Sequence, residues 1–139
     1  MSEQKNKEII LRFYKEFWEQ GNLNVADDLI WSDVINHRPI PGFSSQIEAY
    51  KHIVKETNRG LSNIKWKYVG PIAEGDKVVC AWEWDAIHTG IFMGVKGSGN
   101  KLHESGIDLF RIREWKIAEI WHEESALETM QQLGIIVMK

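Results

Sequence analysis

The stretch from Lys101 to Glu124, KLHESGIDLFRIREWKIAEIWHEE, most constrains what this chain can fold into. It reads as two strands joined by a tight turn around Arg113 and Glu114. Side chains alternate between the faces of a strand, so Leu102, Glu104, Gly106, Asp108, Phe110 and Ile112 share one face. Leu102, Phe110 and Ile112 mark that face as buried, which sets Asp108 among apolar neighbours. In the second strand Lys116, Ala118, Ile120 and His122 fall on one face, and Ile117, Glu119 and Trp121 on the other. A buried carboxylate is costly unless it is paired or protonated. His122, on the adjacent strand, is the nearest candidate partner. An Asp and a His facing one concavity form a candidate acid/base pair.

The preceding chain supplies material to cover that face. Residues 4–20 carry Ile9, Ile10, Phe13, Phe17 and Trp18 at helical spacing, with Gly21 as a stop. Asn24 is positioned to cap a second short helix, VADDLIW. Two prolines make DVINHRPIPGF irregular, with His37 inside it. Ser44 or Ser45 caps a third helix reaching about Asn58, with Ile47, Tyr50, Ile53 and Val54 on its apolar face. Ile64, Trp66 and Tyr68 alternate with lysines, as in a half-buried strand. Residues 73–76 form a turn. A long strand follows, with Val78, Cys80, Trp82, Trp84, Ala86 and His88 on one face. TGIFMGVKGSGN, with four glycines, predicts a loop able to cover a pocket mouth. A short helix over about 125–133 ends at Gly134. Three helices followed by a meander, without βαβ alternation, predict an α+β chain.

The 139 residues are expected to form one domain, 1–139. Seven Trp residues are many for this length, and large aromatics wall pockets for flat apolar ligands. A net charge of −3 and the lack of a basic run argue against nucleic acid as a partner. No stretch is apolar for long enough to cross a bilayer, so no membrane role is expected. The N-terminus lacks a signal-peptide core, and lone Cys80 fits a reducing compartment; a cytoplasmic location is expected. No HxH, HExxH or cysteine cluster is present, so no metal is expected. Cys80 lies between Val and Ala in a strand and reads as core, not as a nucleophile.

The segments LRFYKEFWEQGNLNVADDLI, INHRPIPG, AEGDKVVCAWEWDAIHTGIFMGV, GIDLFRI and KIAEIWHEESALETMQQLG carry a resemblance over nearly the full length. In this order and spacing the chain resembles the SnoaL-like polyketide cyclases, within the nuclear-transport-factor and ketosteroid-isomerase superfamily. The resemblance implies a cone-shaped, strongly curved, mostly antiparallel sheet, with the three N-terminal helices closing a central cavity. It also implies intramolecular aldol ring closure on a polyketide ester without a metal or organic cofactor, using a cavity carboxylate as acid/base. In those cyclases the essential Asp falls at His122, and a His falls at Asp108, so the two residue types are exchanged here. Trp18 falls where the cyclases place an aromatic that contacts substrate. His88 lies in the family's HTG segment, and His37 precedes the prolines.

The candidate catalytic residues are therefore His122, as a neutral base, and Asp108, as its support or as a protonated donor. Candidate substrate-binding residues are Trp18, His37, Trp66, Trp82, Trp84, His88, Phe92 and Phe110. Glu104 shares the Asp108 face and is expected at the rim; His103 is expected on the surface. The bland alternative makes Asp108 and His122 a structural ion pair. Three functions stay open: cofactor-free proton transfer on a small apolar carbonyl compound, a non-catalytic binding protein, or a dimerisation module. A homodimer is expected through the sheet face carrying Ile107, Leu109 and Trp121.

Overall fold

A computed structural model describes residues 2–137. Helix α1 (Glu3–Arg12) starts where the Ser2 side chain accepts from the Lys5 N–H. A cap of this kind is worth ~1 kcal/mol. The chain then widens into a π-helical stretch, Phe13–Glu19, before Gly21 turns away at φ +67°. The sequence predicted one α-helix across this region. The wider winding instead turns Phe13, Tyr14 and Phe17 into the core together and leaves Trp18 packed on its edge. Such insertions are frequent at functional sites.

A 3₁₀ turn (Leu23–Val25) and helix α2 (Ala26–Leu29) follow, capped by Asn22 rather than Asn24. Ile30 and Trp31, expected in that helix, begin strand β1 (Ile30–Asn36) instead. Tertiary pairing decides this: β1 runs parallel to the last strand, with Ile30 opposite Ile117 and Asn36 opposite Ile120. Helix α3 (Gln46–Gly60) is capped by Ser45, whose side chain accepts from the Glu48 N–H. Ile47, Tyr50 and Val54 are buried and Ile53 half-buried, as its apolar spacing predicts.

Strands β2 (Leu61–Glu74), β3 (Lys77–His88), β4 (Lys101–Arg113) and β5 (Lys116–Glu124) form an antiparallel meander. The sheet order is β1-β5-β4-β3-β2. One parallel edge strand thus interrupts the predicted run of three helices before the strands. Helix α4 (Ala126–Gln132) follows, and Gly134 takes φ +77° beyond it. The result is an α+β fold with a curved, mostly antiparallel sheet that does not close into a barrel.

The β4–β5 turn is Glu114–Trp115, both at positive φ, the requirement of a two-residue hairpin turn that follows strand twist. A register shift between Arg111 and Ile112 then sets Ile117 opposite Ile112. Ile117 and Ala118 are consequently both buried. The alternation that put Ile117 on the outer face fails at this bulge and holds again from Glu119 onward.

The inner face carries Val78, Cys80, Trp82, Trp84, Leu102, Phe110, Ile112 and Ile120 against Ile10, Phe13, Tyr14 and Phe17 from the helix. Each large apolar side chain removed from water contributes ~1.5–3 kcal/mol. No helix among the described residues is long and apolar enough to cross a membrane.

Candidate active site

Between the inner sheet face and the helices lies a cavity of about 470 Å³. Trp18, Trp66, Trp82, Trp84, Phe92 and Phe110, six of the candidate substrate-binding residues, line it. The glycine-rich loop 89–100 contributes Phe92, Met93 and Gly94 to the wall, in keeping with its expected covering role. Trp82 can lie flat because Gly106 stands opposite it on β4. A Cβ at Gly106 would come within 2.3 Å of Trp82 Cζ2. The Trp82 ring stacks on the His122 imidazole, 6.0 Å between centroids and 12° between planes.

Asp108 and His122 sit directly opposite each other on β4 and β5, and both reach the cavity. His122 Nδ1 bonds Asp108 Oδ1. Asp108 is only 5% exposed. Its second oxygen, Oδ2, accepts from the Tyr14 hydroxyl at 2.6 Å. Burial first, then the Asp108 charge, raise the Tyr14 pKa far above its ordinary value, so Tyr14 stays a phenol and a donor. On the far side His122 Nε2 lies 3.3 Å from Glu124 Oε1.

Both imidazole nitrogens thus face carboxylates. Burial lowers the His122 pKa, but the hydrogen bonds and charges of Asp108 and Glu124 outweigh it and raise the value to about 10. Where the sequence suggested a neutral His122, Asp108 and then Glu124 together favour the charged ring. A neutral ring carries one N–H and cannot donate to both neighbours; the imidazolium can.

The chain of polar groups continues. Glu104 was expected at the rim but is buried and lines the cavity. The Thr129 hydroxyl of α4 donates to Glu104 Oε2 at 2.7 Å. Burial, followed by the hydrogen bond and charge of Glu124, pushes the Glu104 carboxyl up to about 8. Glu124 moves the other way: its hydrogen bond with His122 holds it below the usual carboxylate range, against its burial. A continuous series therefore runs Tyr14, Asp108, His122, Glu124, Glu104, Thr129. Sequence reasoning found its centre but missed Tyr14 and Glu124. Tyr14 was hidden by the π-helical winding. Glu124 was legible, since it shares a strand face with His122 two residues away.

Two predicted substrate contacts are not on the cavity wall. Asn36 points inward opposite Ile120, so His37 alternates outward. There it stacks on Trp121 at 4.5 Å and bonds Glu119 Oε2 through Nε2 at 2.6 Å. His88 points inward but is sealed at 1% exposure by the folded-back loop. Its Nε2–H donates to the Val95 carbonyl at 3.0 Å, and Ser98 Oγ lies 3.3 Å from its Nδ1. His103 is exposed, 3.0 Å from Asp85 Oδ1. Cys80 is buried, and that burial pushes its thiol up to about 11, consistent with a core role. Among the described residues no three His, Cys, Asp or Glu side chains converge as metal ligands.

A family model of the SnoaL-like polyketide cyclases matches residues 8–133. The chain belongs to the SnoaL-like polyketide cyclase family. Solved structures agree on the fold. TsrD from Streptomyces laurentii superposes with a TM-score of 0.84 at 20% identity, covering 98% of this chain and 99% of TsrD. A protein from Acidithiobacillus ferrooxidans, provisionally named a polyketide cyclase, gives 0.77 at 26% identity, covering 99% of this chain and 100% of the other. A SnoaL-like polyketide cyclase from Agrobacterium tumefaciens gives 0.70 at 13% identity, covering 93% of this chain and 98% of the other. No curated protein matches the sequence.

Proposed function

We propose that this SnoaL-like protein binds a small apolar carbonyl compound and catalyses cofactor-free proton transfer on it, of the cyclase or isomerase type. One observation carries this reading: an imidazole held between two carboxylates stands in the wall of an aromatic cavity. Enolisation moves negative charge onto a carbonyl oxygen, and a preorganised N⁺–H in a water-poor cavity stabilises it there. Asp108, itself held by Tyr14, fixes the ring and its charge through Nδ1. The Nε2–H is the edge a substrate oxygen would meet. Its contact with Glu124 at 3.3 Å is long beside the ~2.7–2.9 Å usual for a charged pair, so an oxygen can take its place. The enolate then either attacks a second carbonyl carbon, closing a ring, or regains a proton at another carbon.

The test is exchange of the α-carbon hydrogens of 2-tetralone, a planar apolar ketone, for solvent deuterium, followed by NMR. Wild-type protein should accelerate it well beyond buffer. Exchange no faster than in buffer removes the catalytic reading.

A second reading rests on a different observation: both His122 nitrogens already have partners, as in an ion pair that only satisfies buried polarity. The protein would then bind the same class of compound without turning it over. A mass spectrum of small molecules retained on purification, with no turnover of them, would favour it.

We also infer a cytoplasmic homodimer. Ile107 is 55% exposed on the outer sheet face, with Leu109 and Trp121 half-buried beside it. Pairing through this face should bury at least ~1,000 Å². Sedimentation as a monomer at micromolar concentration would count against it.

A further inference from the structure

Enolisation needs a base for the carbon-bound proton, and the charged His122 is not one. We propose that Glu124 is that base and that Glu104 stands behind it as a protonated carboxylic acid, an inference that rests on the proton-transfer reading above. Three carboxyls lie along the polar series, and their surroundings separate them. Asp108 is buried with both oxygens engaged, one by Tyr14 and one by His122. Glu104 is buried, accepts from the Thr129 hydroxyl and lines the same cavity as Glu124. Glu124 lines the cavity with its side chain 38% exposed, and its contact to His122 is the loose one.

Two neighbouring carboxyls in one buried cavity do not both ionise cheaply, so one of them tends to keep its proton. Here the environment assigns it. His122 stabilises the negative charge on Glu124, while burial keeps the proton on Glu104. The step balances without a further reactant. A Glu124 oxygen takes the proton from the carbon next to the substrate carbonyl. The C–H electron pair moves into a carbon–carbon double bond, and the carbonyl π pair moves to oxygen. That oxygen accepts the hydrogen bond from His122 Nε2–H. The proton on Glu124 then returns to the aldol oxygen or to a different carbon. Base and electrophile are adjacent on one strand face, so one ketone can present its α-hydrogen to the first and its oxygen to the second.

The charged and titratable groups around Glu124 are His122 on the same strand, Glu104 and Asp108 on β4, and Tyr14 and Tyr50 from the helices. Glu56 and His52 of α3 and Arg38 after β1 complete the cavity wall. Arg38 is engaged by Glu123, at 2.5 Å from Nη2 to Oε1, which removes it as a direct partner of Glu124.

The experiment measures deuterium exchange into 2-tetralone for wild type, Glu124→Gln, Glu124→Asp and Glu104→Gln, with a melting temperature for each. Glu124→Gln should lose about 10²–10⁴-fold, the usual range for a general base. Glu124→Asp, which keeps the carboxylate but shortens it, should retain more than Gln does. The wild-type rate should show an inflection near pH 8 that Glu104→Gln lacks, because Gln cannot titrate. Wild type active and a folded Glu124→Gln within threefold of it overturns Glu124 as the base and leaves the proton-transfer reading standing. An unchanged inflection in Glu104→Gln overturns the pairing with Glu104. A wild type that does not accelerate exchange overturns the proton-transfer reading itself, and this inference with it.

Discussion

His122 and His88 point inward from neighbouring regions of the same sheet, yet they have become different objects. His122 is flanked by the carboxylates of Asp108 and Glu124. His88 is flanked by a backbone carbonyl and a serine hydroxyl. A single Nε2–H tautomer satisfies the second set of partners; only an imidazolium satisfies the first as a donor on both sides. The enclosures differ as well. Around His88 the backbone itself closes in: a Cβ at Gly97 would meet the Thr89 carbonyl at 2.3 Å, and one at Gly60 the Ile91 carbonyl at 2.5 Å. Around His122 the walls are side chains, Trp82 and Tyr14 above all, and a cavity remains. Packed backbone makes a histidine part of the scaffold. Carboxylates and an unfilled cavity leave it available for chemistry.

The largest effect expected from this contrast is on turnover. His122→Ala should slow ketone exchange by about 10²–10³-fold, the usual loss for a donor to a developing oxyanion, while the protein still folds. His88→Ala should do the reverse. It removes one of the two donors on the Val95 carbonyl, which keeps the Phe92 N–H, and opens a hole in the core, so stability should fall. Its rate per folded molecule should stay within threefold of wild type. Denaturant unfolding together with exchange kinetics checks both. A His88 variant that loses rate as His122→Ala does would erase the distinction.

A smaller and sharper effect concerns the His122 pKa. Asp108→Asn keeps the shape and removes one of the two charges that hold the imidazolium. The pKa, about 10 in the wild type, should fall by at least about one unit, equivalent to ~1.4 kcal/mol. NMR titration of His122 reads this directly. A His122 pKa that does not move would mean that Asp108 is not its electrostatic partner. Exchange should drop less in Asp108→Asn than in His122→Ala, because Asp108 orients a donor and does not replace one.

The same contrast marks what the sequence revealed. Period-two alternation placed Asp108, His122, Trp82 and Trp84 on the inner face because their register comes from long, regular antiparallel strands. It failed at Ile117, where a bulge adds a residue, and at Ile30 and Trp31, where pairing with β5 overrides a helical pattern. His37 was placed by resemblance and lies outward, because nothing in HRP fixes the phase of a strand ending at Asn36. His88 had the right face, but the loop's return across it depends on glycine contacts distant in sequence. The charge of His122 draws on Asp108 and Glu124 together; Glu124 was legible on the same strand face, but Glu104, from the adjacent strand, joins them only in the assembled sheet. Local patterns carried the fold; the protonation states came from neighbours that only the assembled sheet brings together.

The smallest expected effect is on stability against pH, and its sign follows from the two raised pKa values. His122 is near 6.5 unfolded and near 10 folded. Its contribution to stability is fully present below about pH 6.5 and is lost as pH rises through about 10. Glu104 acts in the same direction over a lower window. Folded, it keeps a proton up to about pH 8 that the unfolded chain has released near 4.5, so stability declines across that interval. The unfolding midpoint in urea should therefore fall steadily from about pH 5 to 10. Glu104→Gln should flatten the lower part of that curve, and His122→Gln the upper part. A His122→Gln variant that left the upper part of the curve as steep as in the wild type would place the titrating charge elsewhere than at His122 and undo the role drawn from its two carboxylate partners.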